Sequence, residues 1–150
     1  MSPAERPNVR QAVPFFRVTS IDASLRFYLD GLGFRITRRW EPDGQLRWCW
    51  LELGEVAMML QTFEKDAPER QSPGNIGRGV SIAFQCEDAL ALHRDARAKG
   101  LSPQEPSVGN GLWVVVFRDP DGYALEFASP TKVAEDMTLS EWEAGQAKDG

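Results

Sequence analysis

Histidine is almost missing from this chain: His93 is the one copy in 150 residues. A catalytic divalent metal wants about three protein ligands from His, Glu, Asp or Cys, with one coordination position left open. A centre built from several histidines is therefore excluded. His93 itself lies in a helical stretch beside Arg94 and Asp95 and reads as a surface histidine. Cysteine is nearly as scarce. Cys49 and Cys86 sit in apolar, strand-like runs, which excludes a disulfide framework and reads as buried free thiols in a reducing cytoplasm. No apolar run approaches the roughly 18 residues a transmembrane helix needs. The opening residues, Met1 to Pro7, lack the apolar core of a signal peptide. Positive charge is outnumbered: the net charge of -5 argues against nucleic acid as a partner. The exception is local, where Arg35, Arg38, Arg39 and Arg47 gather around one hairpin. Such a cluster is a solvated strand face or an anion site.

What the chain does have is a plan written twice. At 150 residues it suits one domain with a real core. Residues 12–18 read as a strand, and Ser20 or Asp22 caps a helix running to about Asp30. Gly31 and Gly33 stop that helix. Phe34 to Trp40, Leu46 to Leu53 and Val56 to Thr62 follow as strands, with Glu41-Pro-Asp-Gly44 as the first turn. The second half repeats the order. Val80 to Cys86 is a strand, and Glu87 and Asp88 open a helix that Gly100 closes. Ser102 to Val108 is a weak edge strand carrying two prolines. Leu112 to Phe117 then enters the turn Asp119-Pro-Asp-Gly122, a type I pattern, and Tyr123 to Ala128 leaves it. Gly33 matches Gly100 and Gln61 matches Glu126 at nearly the same separation, the mark of an internal repeat. The expected organisation is a disordered N-terminus over 1–11 and a single domain over 12–129. Its two βαβββ units cover 12–63 and 79–129, joined by a linker at 64–78. An acidic tail over 130–150 follows, where the capping box Ser140-Glu-Trp-Glu143 allows a short helix.

Five tryptophans are many for this length. Trp48 and Trp50 alternate along one strand and share a face with Leu46 and Glu52; Trp113, Val115 and Phe117 share another. Gln61 lies with Met59 and Ala57, and Glu126 with Ala124. Tryptophan in a strand is ordinarily core or dimer packing. In a cleft, Trp and Met beside a lone acid suit a flat aromatic or cationic ligand, through stacking and cation–π contact. Glu126 reads as a polar residue lining a wet cleft, or as a general base with its pKa raised by apolar walls. It is the one catalytic candidate, since no second acid or nucleophile can be placed beside it.

The paired βαβββ units, the Phe27-Tyr28 pair ahead of Leu32-Gly33-Phe34, and the closing run Asp119 to Glu126 resemble the vicinal oxygen chelate superfamily of glyoxalases, bleomycin-resistance proteins and extradiol dioxygenases. The resemblance covers residues 12–129 and implies an α+β fold of two curled mixed sheets around a cleft, which many short members complete across a homodimer. It implies that Trp48, Trp50, Met59, Gln61, Trp113, Phe117 and Glu126 face that cleft. Metal-using members draw ligands from the first and last strands of each unit. Those positions fall near Val13 and Ser81, and on Gln61 and Glu126, which is a poor ligand set. The chain is most similar to the bleomycin-resistance branch. That implies a cytoplasmic, dimeric protein that binds a small molecule without a metal or other cofactor, and has no nucleic-acid or membrane partner. The alternatives are a metal-dependent lyase, isomerase or dioxygenase of the same superfamily, or a non-catalytic module that binds another protein.

Overall fold

The computed structural model describes residues 5–149. The expected unordered N-terminus over 1–11 falls in part on residues 1–4, outside the described residues. The chain builds two four-stranded mixed sheets, each with its helix on one face. The first unit is β1 (Phe15–Val18), α1 (Ile21–Leu25), β2 (Arg35–Trp40), β3 (Trp48–Leu53) and β4 (Val56–Thr62). The second is β5 (Ser81–Gln85), α2 (Ala89–Ala98), β6 (Ser107–Gly109), β7 (Leu112–Arg118) and β8 (Ala124–Pro130). Strand orders are β1-β4-β3-β2 and β5-β8-β7-β6, so the repeat extends to topology. In each unit the first strand pairs in parallel with the last, and the rest is antiparallel. The α+β class with two βαβββ units is as expected from the sequence.

Local chemistry explains the helix starts. The Ser20 hydroxyl accepts from Ala23 N at 3.2 Å, and the Asp88 carboxylate accepts from Ala91 N at 3.0 Å. Each satisfies one of the amide groups that a helix start leaves unpaired. Beyond Leu25 the helix widens into a π-helical segment, Arg26–Gly31. There Leu32 N reaches back to Phe27 O, and Tyr28 is turned into the core.

Three expectations change. The edge strand expected over Ser102 to Val108 is only Ser107–Gly109, because Pro103 and Pro106 have no amide hydrogen to donate to a ladder. His93 is not a surface residue: it is 6% exposed. It lies four residues after Ala89 and three before Ala96, so all three share the buried stripe of α2. The tail carries the helix that the sequence allows, but it is capped two residues earlier than Ser140. Val108 N donates to Met137 O and Asp136 N to Val108 O, so residues 136–137 cover the free edge of β6. The tail then forms α3 (Leu139–Asp149), whose Trp142 meets Trp113 edge to face at 5.8 Å. Thr138 Oγ1, not Ser140, accepts from the first turn, at Glu141 N.

The two units share one core. Phe34 of the first meets Phe84 of the second at 6.5 Å, and Phe16 stacks flat on Tyr123 at 3.9 Å. The Asp119-Pro-Asp-Gly122 turn does more than reverse the chain. Asp119 Oδ1 accepts from Asp121 N and Tyr123 N, while Oδ2 accepts the buried Tyr28 hydroxyl at 2.7 Å. Asp121 accepts from Thr19 N at 3.0 Å and Thr19 Oγ1 at 2.6 Å. The last hairpin is thereby bolted to β1 and the first helix across the unit boundary. Burial pushes the Asp119 carboxyl up to about 6 against these donors, and raises Tyr28 well above the usual phenol range. The segment at 64–78 lies over this turn: Gly77 N donates to Asp121 O at 2.8 Å. The Gly74 carbonyl sits so close to Gly122 that a Cβ there would collide with it.

Candidate functional site

Each sheet has one face covered by its helix and one face open. In the first sheet the covered face holds Phe16, Val18, Cys49, Leu51, Met58 and Leu60, all buried. Alternation then turns the neighbouring residues outward. The register lays them in two rows running across the four strands. One row is Phe15, Met59, Trp50 and Arg38; the next is Arg17, Gln61, Trp48 and Trp40. None of the described residues covers this face: Phe15 is 42% exposed and Trp40 52%. The structure thus brings together Trp48, Trp50, Met59 and Gln61. Phe15, Trp40, Arg17 and Arg38 were not singled out from sequence as members of the same surface. The signal was available, since the cross-strand partners follow once the strand order is known.

Two contacts organise this face. The Arg17 guanidinium lies 5.1 Å from the Phe15 ring centroid, and that of Arg38 lies 4.7 Å from Trp50. A recess of about 370 Å³ adjoins the second row, lined by Trp40, Arg47, Gln61, Phe63 and Lys65 among others. A larger groove of about 1260 Å³ runs between the units, past Leu53, Val56, Phe84, Leu92 and Lys99; Cys86 lines it, but none of the candidate ligand-binding residues does.

The second sheet disposes of the remaining candidates differently. Glu126 sits on the open face, in a row with Ala83 and Val116, and is half-buried. No side chain among the described residues holds its carboxylate. Met59 lies on the other sheet, so within one chain it does not wall Glu126. Trp113 and Phe117 point the opposite way from Glu126. They belong to the covered face, 5% and 1% exposed, with Val115, Leu125 and Phe127. The sequence reading put Trp113 and Phe117 in the cleft. Alternation was read correctly but the side was not, because both faces of β7 are apolar and only the position of α2 decides between them.

The internal repeat also needs re-registering. The helix caps Ser20 and Asp88 are separated by the same number of residues as the buried Phe16 and Phe84. That separation makes Phe15 the counterpart of Ala83. Phe15 pairs with Met59, and Ala83 with Glu126. Met59, not Gln61, is therefore the counterpart of Glu126, and Gln61 corresponds to Ala128. Two residues before Phe15 and Ala83 stand Val13 and Ser81. The four equivalent positions on first and last strands thus hold Val13, Met59, Ser81 and Glu126: one carboxylate, one hydroxyl, one thioether and one alkyl group. Among the described residues no group of three His, Cys, Asp or Glu is placed to hold a metal ion. His93 is far in character from a ligand: burial, then Arg97, lowers its pKa on the covered side of the second sheet.

Two open sheet faces on a repeated βαβββ frame define a class, and comparison with known proteins agrees. The chain matches the model of the Glyoxalase/Bleomycin resistance protein/Dioxygenase superfamily over residues 10–127. It belongs to that family. It is similar to the lactoylglutathione lyase of Haemophilus influenzae, 31% identical over 117 residues, covering 74% of this chain and 85% of that protein. The lactoylglutathione lyase of Neisseria meningitidis serogroup A is 32% identical, covering 74% of this chain and 83% of that protein. In fold the chain resembles the bleomycin resistance determinant encoded on the transposon Tn5, with TM-score 0.63, 19% identity, and 83% of this chain and 100% of that one covered. It also resembles a bleomycin-binding protein complexed with bleomycin, with TM-score 0.61, 20% identity, and 81% and 98% covered.

Proposed function

We propose that this protein binds a small planar molecule on the open aromatic face of the first sheet, without a divalent metal. The observation that carries the reading is that face itself. Trp48, Trp50, Met59 and Phe15 form an uncovered apolar platform, with Gln61 as a neutral hydrogen-bonding group within it. Exposed apolar surface of this kind, flanked by a few polar groups, marks a binding surface. The structural resemblance to a bleomycin-binding protein fits ligand binding on this fold, though at 20% identity it supports the frame and not the ligand. A cationic ligand would rest on Glu126, which lies on the other sheet. A second copy of the chain would complete a cleft by setting the Glu126 face of one chain against the tryptophan face of its partner. We therefore propose a homodimer. No helix among the described residues is long and apolar enough to cross a membrane, and both cysteines are free, which accords with a cytoplasmic protein. Small molecules, not nucleic acid, are the proposed partners. Two measurements test this. Titration with planar aromatic compounds should perturb tryptophan fluorescence, and sedimentation at micromolar concentration should give a dimer. A flat response across a broad panel would remove the binding site, and a monomer would remove the dimer.

A second reading has its own support: the curated relatives near 31% identity are lactoylglutathione lyases. An enzyme of that kind would need a metal, and the residues at the equivalent positions do not fit one. Val13 and Met59 offer no hard donor and Ser81 a weak one, leaving Glu126 alone. One equivalent of zinc, nickel, iron or manganese per chain, with lyase activity that follows the metal, would replace the binding reading with this one.

A further inference from the structure

We infer that the ligand of the aromatic face is an aromatic anion, a planar ring system carrying a carboxylate or similar acid, and not a cation. This deepens the reading above and rests on it. The chain as a whole is acidic, at -5, yet this face is not. Its two rows carry Arg17 and Arg38 and no acid. The acid on the same side, Glu52, lies beyond them in the row with Ala57 and is faced across the strands by Arg35. Glu126 is on the other sheet. Neither Arg17 nor Arg38 makes an ion pair among the described residues; the pair that is formed, Arg39 with Glu41, points away from these rows. A guanidinium without a carboxylate partner, lying on an aromatic ring, keeps its outward N–H donors free for an incoming acid. Such a pair would be bidentate and charge-assisted.

Geometry sets the shape. Arg17 is on edge strand β1 and Arg38 on edge strand β2, with β4 and β3 between them. Three strand spacings of about 4.8 Å separate those edges by about 14 Å. Met59 and Trp50 in one row, and Gln61 and Trp48 in the other, fill that span. A ring system lying over the two tryptophans places an acidic substituent within reach of one edge arginine. The Gln61 amide then meets a neutral polar group on the ring. A cation in the same place would face two guanidiniums with no carboxylate in either row. Asp43 and Glu64 line the adjoining recess, and in the proposed dimer a single carboxylate, Glu126 of the partner subunit, would stand against both arginines.

Three compounds of one shape and different charge test this by calorimetry on the full chain: naphthalene carboxylate, naphthalene methanol and naphthalene methylammonium. The carboxylate should bind at least about tenfold more tightly than the ammonium compound, the ratio one good charge-assisted contact supplies. Arg17→Met, Arg38→Met or the pair should collapse the difference between carboxylate and alcohol. Both side chains are exposed, and an unchanged unfolding curve shows that each variant folds. Equal or tighter binding of the ammonium compound overturns the inference and leaves the binding site standing. So does a carboxylate advantage that survives the double substitution. Failure of all three compounds to bind at millimolar concentration removes the site itself, and this inference with it.

Discussion

Removing the Asp119 carboxylate should unlock the two units from each other, and the cost can be worked from its contacts. Asp119→Ala strands three donors at once: the amides of Asp121 and Tyr123 and the Tyr28 hydroxyl, all buried. At about 1–3 kcal/mol for each unsatisfied buried donor, and allowing for non-additivity, the loss is about 4 kcal/mol. Asp119→Asn is the informative contrast. Its carbonyl keeps both amide donors, and the Tyr28 hydroxyl can turn to accept from the new amide. The difference lies in the charge. Burial raises the folded Asp119 from 3.8 to about 6. A raised carboxyl adds stability that is fully present below about pH 4 and is lost as pH climbs through about 6. At about 1.4 kcal/mol per pH unit, that interval amounts to about 3 kcal/mol. The asparagine variant has no such term. Relative to wild type it should be weaker at pH 4 and should gain about 3 kcal/mol on moving to pH 7.5. Urea unfolding at several pH values, followed by far-UV circular dichroism, measures both effects. The reasoning is refuted if Asp119→Ala costs less than about 1 kcal/mol. Parallel pH profiles for wild type and Asp119→Asn would equally refute the claim that burial penalises the charge.

Other substitutions separate core from surface. Trp113→Ala should cost about 3–5 kcal/mol in urea unfolding, since it removes a buried ring beneath α3. Trp50→Ala should leave the unfolding midpoint nearly unchanged while weakening aromatic ligands by about 1–3 kcal/mol in a fluorescence or calorimetric titration, if Trp50 stacks on them. Tyr28→Phe removes one donor from Asp119 and should cost about 1–2 kcal/mol of stability. His93, whose folded pKa is depressed, adds stability present above its ordinary pKa and lost as pH falls through the folded value. His93→Gln should therefore flatten the acid limb of the stability profile, where Asp119→Asn alters the rise toward neutral pH.

Most of the frame was legible because it was written in turn chemistry and in repetition. Val56–Thr62 was bounded by Gly54 and a charged run, and its limits in the structure are those read from sequence. The helix starts were legible to within two residues: Ser20 caps where the sequence offers Ser20 or Asp22, and Asp88 where it offers Glu87 and Asp88. What failed was side and register. A strand such as Leu112–Arg118, apolar at nearly every position, carries no signal of which face meets a helix; Trp113 and Phe117 went to the core because α2 lies there. The sequence neighbours of His93, Arg94 and Asp95, suggest a surface, whereas Ala89 and Ala96, at helical spacing, set the side on which it lies. Gln61 matches Glu126 in sequence only to within two residues of the Gly33 to Gly100 separation. Strand pairing assigns that place to Met59, and a nearly constant separation is a weaker guide to equivalence than hydrogen-bond register.

That shift of two residues changes the chemistry open to the chain. With Gln61 in the place, the first unit would offer a neutral oxygen donor to match Glu126. With Met59 there, it offers a soft thioether next to Trp50, which is a contact for a ring and not for a hard cation. Gln61, moved one pleat along, joins Arg17 and Trp48 instead. The first sheet is thus specialised as an aromatic and basic surface, and the second retains the lone acid. Two units of one topology have diverged at the same strand positions, and the asymmetry has a consequence for assembly. A cleft made by opposing two first sheets would bring Arg17 and Arg38 of both copies together with no carboxylate in those rows, since Glu52 lies beyond them against Arg35. A cleft that sets the first sheet of one chain against the second sheet of another, the dimer proposed above, instead places the Glu126 carboxylate opposite Arg17 and Arg38, on a face that also carries Arg118. That one carboxylate is what favours the crossed arrangement over two opposed first sheets.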